Sequence, residues 1–151
     1  MPAPTDYHTS VRDAVADAVE GLALGCPVAR LDTLEDADRV TAPAVVVCPV
    51  GPLAERPEFG TNARKGRGYP VVVALLQQGT TQGEKAPQAL TATLFREYLD
   101  NTFAQKRLPG VTEVGLCEVA DAGPLWDEKS PAFQKLAAAM VVTAIGRFPR
   151  S

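Results

Sequence analysis

The chain has 151 residues, which is the size of one domain and leaves no room for two of ordinary size. Hydrophobic residues make up 46% and charged residues 22%, and these shares predict a globular fold and exclude a disordered chain, a collagen or a coiled coil. Fifteen basic and 18 acidic side chains give a formal net charge of −3, so the chain as a whole has no attraction for nucleic acid or for an anionic membrane.

The first half of the sequence predicts one helix and two strands. Apolar residues at helical spacing predict an amphipathic helix, and two short apolar runs predict strands, the second of them buried. These elements cover residues 11–20, 28–31 and 44–50. Thr9 or Ser10 is expected to cap the helix, after a Pro-rich segment over residues 1–6 that we expect to be frayed and flexible.

Between the two strands lies an acidic segment, residues 34–38. It carries Glu35, Asp36 and Asp38. Such a run of carboxylates is usually a turn in contact with water, so we expect a solvated turn rather than a metal cluster.

Residues 51–69 are the least regular part of the sequence. They contain four glycines and two prolines, lack an apolar period, and carry Arg64, Lys65 and Arg67 in their second half. A stretch of this length is predicted to be a long loop between two central strands, and loops of this kind are commonly functional or mobile. The loop is either an ordinary solvated connection or a contact surface for an acidic partner.

The second half predicts a strand, a helix, a strand and a closing segment. The first three cover residues 69–78, 89–103 and 111–119, and a polar connection covers residues 79–87. The closing segment, residues 130–147, begins with helix-forming residues and ends with β-branched ones, so local propensity predicts a helix that runs into a strand. The whole order predicts a single α+β domain with one mixed, mainly antiparallel sheet and two principal helices packed on it.

The sequence contains no constellation typical of an active site. His8 is the only histidine, and we expect it to be solvated, unrelated to function and replaceable by alanine. Residues 79–85 lack the glycine spacing and the hydroxyl residue of a phosphate-binding loop. Trp126 is expected to be a local packing anchor. We therefore predict no catalytic residue, no cofactor and no metal site.

Three cysteines, Cys26, Cys48 and Cys117, are too few and too widely spaced for a disulfide framework or a zinc site. Residues 1–10 lack the basic start and apolar stretch of a signal peptide, and the apolar run over residues 136–145 is shorter than the roughly 20 residues that cross a bilayer. We expect a protein made in a reducing cytoplasm, with Cys48 and Cys117 buried in strands and all three thiols dispensable.

The order of these segments resembles that of a known family. A helix is followed by a Pro-preceded strand (TAPAVVVCP), a long loop, a second strand (GYPVVVALLQQ), a central helix (LTATLFREYLDNTF), a Pro-Gly turn with a strand (LPGVTEVGLCEVADAG) and a closing strand that ends in Arg147. Over residues 7–148 this order resembles the tail terminator family of long-tailed bacteriophages and related small neck and tail-completion proteins. The resemblance implies a strand over residues 135–147, and no catalytic residues.

The resemblance also implies a function. It makes residues 1–151 one tail-terminator-like domain that assembles into a homohexameric ring, caps the tail tube protein and joins it to the head-side connector or neck protein. The location implied is a virion tail or neck, assembled in the cytoplasm of the host bacterium, without a membrane or a specific nucleic-acid partner. Within the ring we expect Arg64, Lys65 and Arg67 to face an acidic surface, either the tail tube or the carboxylates of the next subunit at positions 35, 36 and 38.

Two alternatives to the tail terminator stay open. Another head–tail joining or minor capsid protein has the same size and composition. A small cytoplasmic enzyme or ligand-binding domain would need a group of polar residues converging on a pocket.

Overall fold

The computed structural model describes residues 6–62, 64–77, 91–123 and 125–149. Six strands form one sheet, and helices pack on its faces. The strands are β1 (Val28–Arg30), β2 (Ala44–Pro49), β3 (Ala54–Glu55), β4 (Arg64–Leu76), β5 (Val114–Asp121) and β6 (Leu136–Pro149). The α-helices are α1 (Tyr7–Gly21), α2 (Ala92–Phe103) and α3 (Pro131–Lys135), and 3₁₀ helices cover Leu34–Arg39 and Pro57–Phe59.

The sheet is mixed and mainly antiparallel. Its strand order is β1-β2-β4-β6-β5. Strand β3 lies outside this order and pairs with β4. Among the described strands, β1 and β2 run parallel, and the other neighbouring pairs are antiparallel. The predicted α+β class, with a mixed sheet and two principal helices, is confirmed.

The central strands are buried on both faces. Side chains alternate along a strand, so Val71 and Val73 of β4 pack on the side of α1 and α2, while Val72 and Ala74 pack on the other side with Trp126. This double burial explains why β2 and residues 71–76 of β4 read as unbroken apolar runs. It also confirms that Trp126 is a packing anchor.

Helix α1 begins four residues before the prediction. Its N-cap is Asp6, not Thr9 or Ser10, and the Asp6 carboxylate accepts hydrogen bonds from the Thr9 backbone N–H at 3.0 Å and from the Thr9 hydroxyl at 2.6 Å. Thr9 therefore lies inside the helix and donates both hydrogen bonds to the cap residue, Asp6. The rest of the predicted flexible segment, residues 1–5, lies outside the described residues.

The Asp6 cap makes the stability of α1 depend on pH. The Thr9 hydrogen bonds hold the pKa of the Asp6 carboxyl below its ordinary value of 3.8. The stabilisation is therefore fully present above that value and is lost as the pH falls through the lower folded-state pKa. We expect Asp6→Ala to lower the free energy of unfolding by about 1 kcal/mol at neutral pH. Urea unfolding should show this difference narrowing well below pH 3.8, and Asp6→Asn, an equally good cap, should stay near wild type at neutral pH.

The closing segment combines both structures that the sequence predicted. Ser130 caps the five-residue helix α3 by accepting a hydrogen bond from the Phe133 N–H at 3.2 Å. Strand β6 then starts at Leu136 and lies between β4 and β5. The strand implied by the resemblance is confirmed, and the local prediction of a preceding helix holds for one turn.

Helix α2 and strand β5 lie close to their predicted positions. The N-cap of α2 is Thr91, whose hydroxyl accepts a hydrogen bond from the Leu94 N–H at 3.1 Å. Strand β5 starts three residues later than predicted and ends two residues later. The predicted polar connection, residues 79–87, and the first residues of the predicted helix lie outside the described residues.

Candidate assembly surfaces

Strands β4 and β6 extend well beyond β2 at one end of the sheet. The last residue of β2, Pro49, pairs with Val71, whereas β4 continues back to Arg64, which pairs with Pro149. We call this extension, residues 64–68 paired with residues 145–149, the arm. At its base β3 pairs with Arg67 and Gly68, and β5 pairs with Ile145 and Gly146.

The predicted long loop, residues 51–69, is too long, because its last part belongs to β4. The connection between β2 and β4 holds β3 and a 3₁₀ helix. Strand β4 begins at Arg64, so Arg64, Lys65 and Arg67 lie on a strand instead of on the predicted loop. Glycine at position 66 allows the connection to pass close to β4. A Cβ there would stand 2.8 Å from the Gly60 nitrogen and closer still to the Arg56 carbonyl oxygen.

The three basic residues on the β4 side of the arm differ in their partners. The Lys65 ammonium lies 3.6 Å from the Glu55 carboxylate. The Arg67 guanidinium lies 3.5 Å from the Tyr69 hydroxyl, and its Nε is buried without a hydrogen-bond partner among the residues described. The Arg64 side chain is exposed.

The connection before β4 is tied to the sheet by arginines. Arg147 Nε donates to the Phe59 carbonyl oxygen at 2.8 Å. Arg56 pairs with Glu58 at 2.6 Å and with Glu118 at 2.9 Å, and its hydrogen bond lowers the pKa of the Glu58 carboxyl. These contacts hold the connection along the edge of the arm, where open backbone groups would otherwise invite pairing with other chains.

The acidic segment is a 3₁₀ helix, Leu34–Arg39, where the sequence predicted a solvated turn. Ala37 is fully buried, and the Asp38 carboxylate accepts a hydrogen bond from the Ala132 backbone N–H at 2.9 Å. Asp38 therefore holds α3 in place, and the prediction of a solvated turn is wrong for this residue. Glu35 is exposed and Asp36 is half-buried, and the two remain the candidates for contact with a partner.

A groove of about 800 Å³ lies beside this segment, at the base of the arm. Asp32 and Glu35 stand on one side of it, and its other lining residues are mostly apolar. Those residues include Pro49, Val50, Pro52, Pro70, Leu125 and Val141. The buried Arg12 fixes the acidic side, because its guanidinium donates to the Leu31 carbonyl oxygen at 2.8 Å and to the Asp32 carboxylate at 2.9 Å. Sequence reasoning missed this groove, since its lining comes from five separate segments.

The structure places His8 inside α1 and against the sheet. Its Nε2 lies 2.7 Å from the Pro70 carbonyl oxygen, and its ring packs on Tyr69, which also contacts Tyr7 and Phe148. The prediction that His8 is a solvated terminal residue is therefore wrong. These contacts fasten the start of α1 to the base of the arm.

Within the described ranges, no group of three or more His, Cys, Asp or Glu side chains could hold a metal ion. Among the helices of the same ranges, none is long and apolar enough to cross a membrane.

The cysteines are free thiols, and two of them lie in strands as predicted. Cys48 and Cys117 are buried, and burial raises the pKa of each to about 11. Burial also raises the pKa of Cys26, which is only half-buried. The thiolate is the reactive form, so at mildly alkaline pH we expect a thiol reagent to label Cys26 first and the other two only on unfolding. A native chain that reacts at three thiols with one rate would contradict this.

Comparison with protein-family models gives no match to this sequence, and comparison with curated proteins gives no significant match either. Among solved structures, the chain is similar to the sheath/tube terminator of an extracellular contractile injection system (PVC), determined in the extended state by cryo-electron microscopy. The TM-score is 0.56 at 8% sequence identity. The match covers 100% of the present chain and 58% of the terminator chain, so the present chain spans little more than half the length of that protein.

Proposed function

We propose that this chain is a terminator-type structural protein that closes the end of a tail tube in a phage or phage-like particle. The observation that carries the proposal is the likeness of fold to a sheath/tube terminator along 100% of the chain. At 8% identity this likeness concerns the fold, so the role is inferred by analogy between folds.

The surfaces are compatible with this role. A cap must cover the last layer of tube subunits, which requires extended contact surfaces on a rigid scaffold. The arm and the acidic 3₁₀ helix supply two such surfaces of opposite charge, with Arg64 on the arm and Glu35 and Asp36 on the helix. In this proposal the protein acts by assembly, without catalysis and without a cofactor.

The proposed assembly is a homohexameric ring in the tail or neck of a virion. One side of the ring contacts the tail tube protein, and the other side contacts the head-side connector or neck protein. Assembly takes place in the cytoplasm of the bacterial host. A ring is the arrangement expected when one subunit uses two different surfaces and the rotation between neighbours closes.

The decisive experiment removes the gene from the producing particle and images the products by electron microscopy. A terminator blocks further addition of subunits, so its loss should leave tubes of irregular length that lack a cap and do not join heads. Tagged protein supplied in trans should restore capped tubes and appear at one tube end. Tubes of normal length that fail only to join heads would point to another head–tail joining protein. Label on the head shell would point to a minor capsid protein, and normal particles would refute the proposal.

A further inference from the structure

Two charged groups at the same end of the sheet have no ion-pair partner among the residues that the structure describes. Arg64 at the tip of the arm and Glu35 beside the groove take part in none of the ion pairs formed among the residues that the structure describes. Both side chains are exposed. Each is therefore available to a charge on another molecule.

The tip of the arm lies well away from the residue of β4 that lines the groove of the same copy. Glu35 and Pro70 line that groove, and Arg64 lies six positions before Pro70 on β4. An extended strand rises about 3.3 Å per residue, so Arg64 lies about 20 Å along the strand from Pro70. Arg64 and Glu35 form no ion pair in the described structure.

Arg64 faces the same side of the sheet as the groove. Side chains alternate along β4, so Arg64 shares a face with Pro70, which lines the groove. Arg147 shares this face too, because its pairing partner on β4 is Gly66. Lys65 lies on the opposite face, which carries α1, and already pairs with Glu55.

We infer that the arm of one copy docks in the groove of a second copy, with Arg64 against Glu35. The inference rests on the proposed ring and names its subunit contact. A second copy is the occupant that the charges favour, because the basic tip and the acidic groove are both on this chain. The contact joins two different surfaces, so each copy has one arm and one groove to offer, and copies add head to tail.

The apolar lining of the groove supplies most of the contact, and the charges set its orientation. Exposed ion pairs are individually weak, whereas like charges placed opposite each other suppress association strongly. Reversing one charge therefore has a larger effect than deleting it. The effect should shrink as salt screens it.

The test uses two charge reversals on the full chain, Arg64→Glu and Glu35→Arg. Sedimentation at low salt should show each variant alone associating at least ten-fold more weakly than wild type. An equimolar mixture of the two should associate again with 1:1 composition, because every contact then joins opposite charges. The double variant should recover for the same reason. Matched controls are Arg107→Glu and Glu97→Arg, which make the same changes at exposed positions elsewhere.

Several results would overturn the inference. One is an Arg64→Glu variant that associates as well as Arg107→Glu, and another is a mixture that fails to recover. The inference would also be overturned if wild-type copies do not associate with each other, either in solution or when bound to tail tubes. Rings that form normally despite the reversals would remove this contact and leave the proposed function standing. Particles that are normal without the gene would remove the proposed function itself.

Discussion

Replacing Gly146 by alanine is expected to lower the free energy of unfolding by about 3 kcal/mol, the upper end of overpacking costs. Gly146 lies in β6 between Arg67 of β4 and Val114 of β5. A Cβ there would stand 2.8 Å from the Glu113 carbonyl carbon and 2.9 Å from the Val114 Cα, and closer still to the Glu113 oxygen. All three are backbone atoms, which cannot rotate away as a side chain does.

The neighbouring strand would have to move to admit the methyl group. That movement would disturb the hydrogen bond from the Arg147 N–H to the Glu113 carbonyl oxygen, which is 3.1 Å long. The matched control is Gly115→Ala, because a Cβ on Gly115 meets only the Ile145 oxygen, at 3.9 Å. Urea unfolding followed by circular dichroism should show a large loss for Gly146→Ala and little change for Gly115→Ala. Equal stabilities of the two variants would contradict the steric argument.

Replacing Trp126 by alanine is expected to cost about 4 kcal/mol, within the range for large aromatic residues in cores. The side chain is 8% exposed and belongs to the core on the groove side of the sheet. Its Nε1 donates to the Leu34 carbonyl oxygen at 2.8 Å. The residue therefore holds the acidic 3₁₀ helix against the sheet.

The matched variant is Trp126→Phe, which keeps most of the packing and loses the donor. We expect it to cost about 1–2 kcal/mol, since the Leu34 oxygen then loses its partner. Trp126 is the only tryptophan, so unfolding of these variants is followed by circular dichroism and not by fluorescence. A loss for Trp126→Ala no greater than that for Trp126→Phe would show that the ring contributes little packing.

The core of the fold could be predicted because its signals are local and agree with each other. The runs Val45–Val47 and Val71–Val73 are β-branched, and burial on both faces allows every position to be apolar. The apolar residues of α1 recur at helical spacing and form one buried face. Neither signal depends on knowing which strands are neighbours.

The arm could not be predicted because what makes it a strand lies about 80 residues away. Residues 64–68 are three basic residues and two glycines, and glycine is typical of loops. They form a strand since β6 pairs with all of them and the glycines let the connection approach closely. The period of two between Gly66 and Gly68 is the one local sign of a strand.

The six candidate contact residues were found from charge alone, and charge does not reveal partners. Asp38 bonds to Ala132, and Lys65 pairs with Glu55. Arg64, Glu35 and Asp36 have no ion pair in the described parts of the chain. Arg67 keeps a buried Nε without an acceptor there. The six therefore remain predictions as contacts, but they are no longer equivalent.

The position of β6 sets the order in which this chain acquires its structure. The strand comes last in sequence but lies between β4 and β5 in the sheet. Without β6, the part of the sheet formed by β1, β2 and β4 has no link to β5, and β5 has no strand beside it among the described residues. Until β6 pairs, the apolar edge of β4 is open, and open edges of this kind are where folding chains aggregate. We therefore expect that conditions that slow the pairing of β6 lower the yield of native protein.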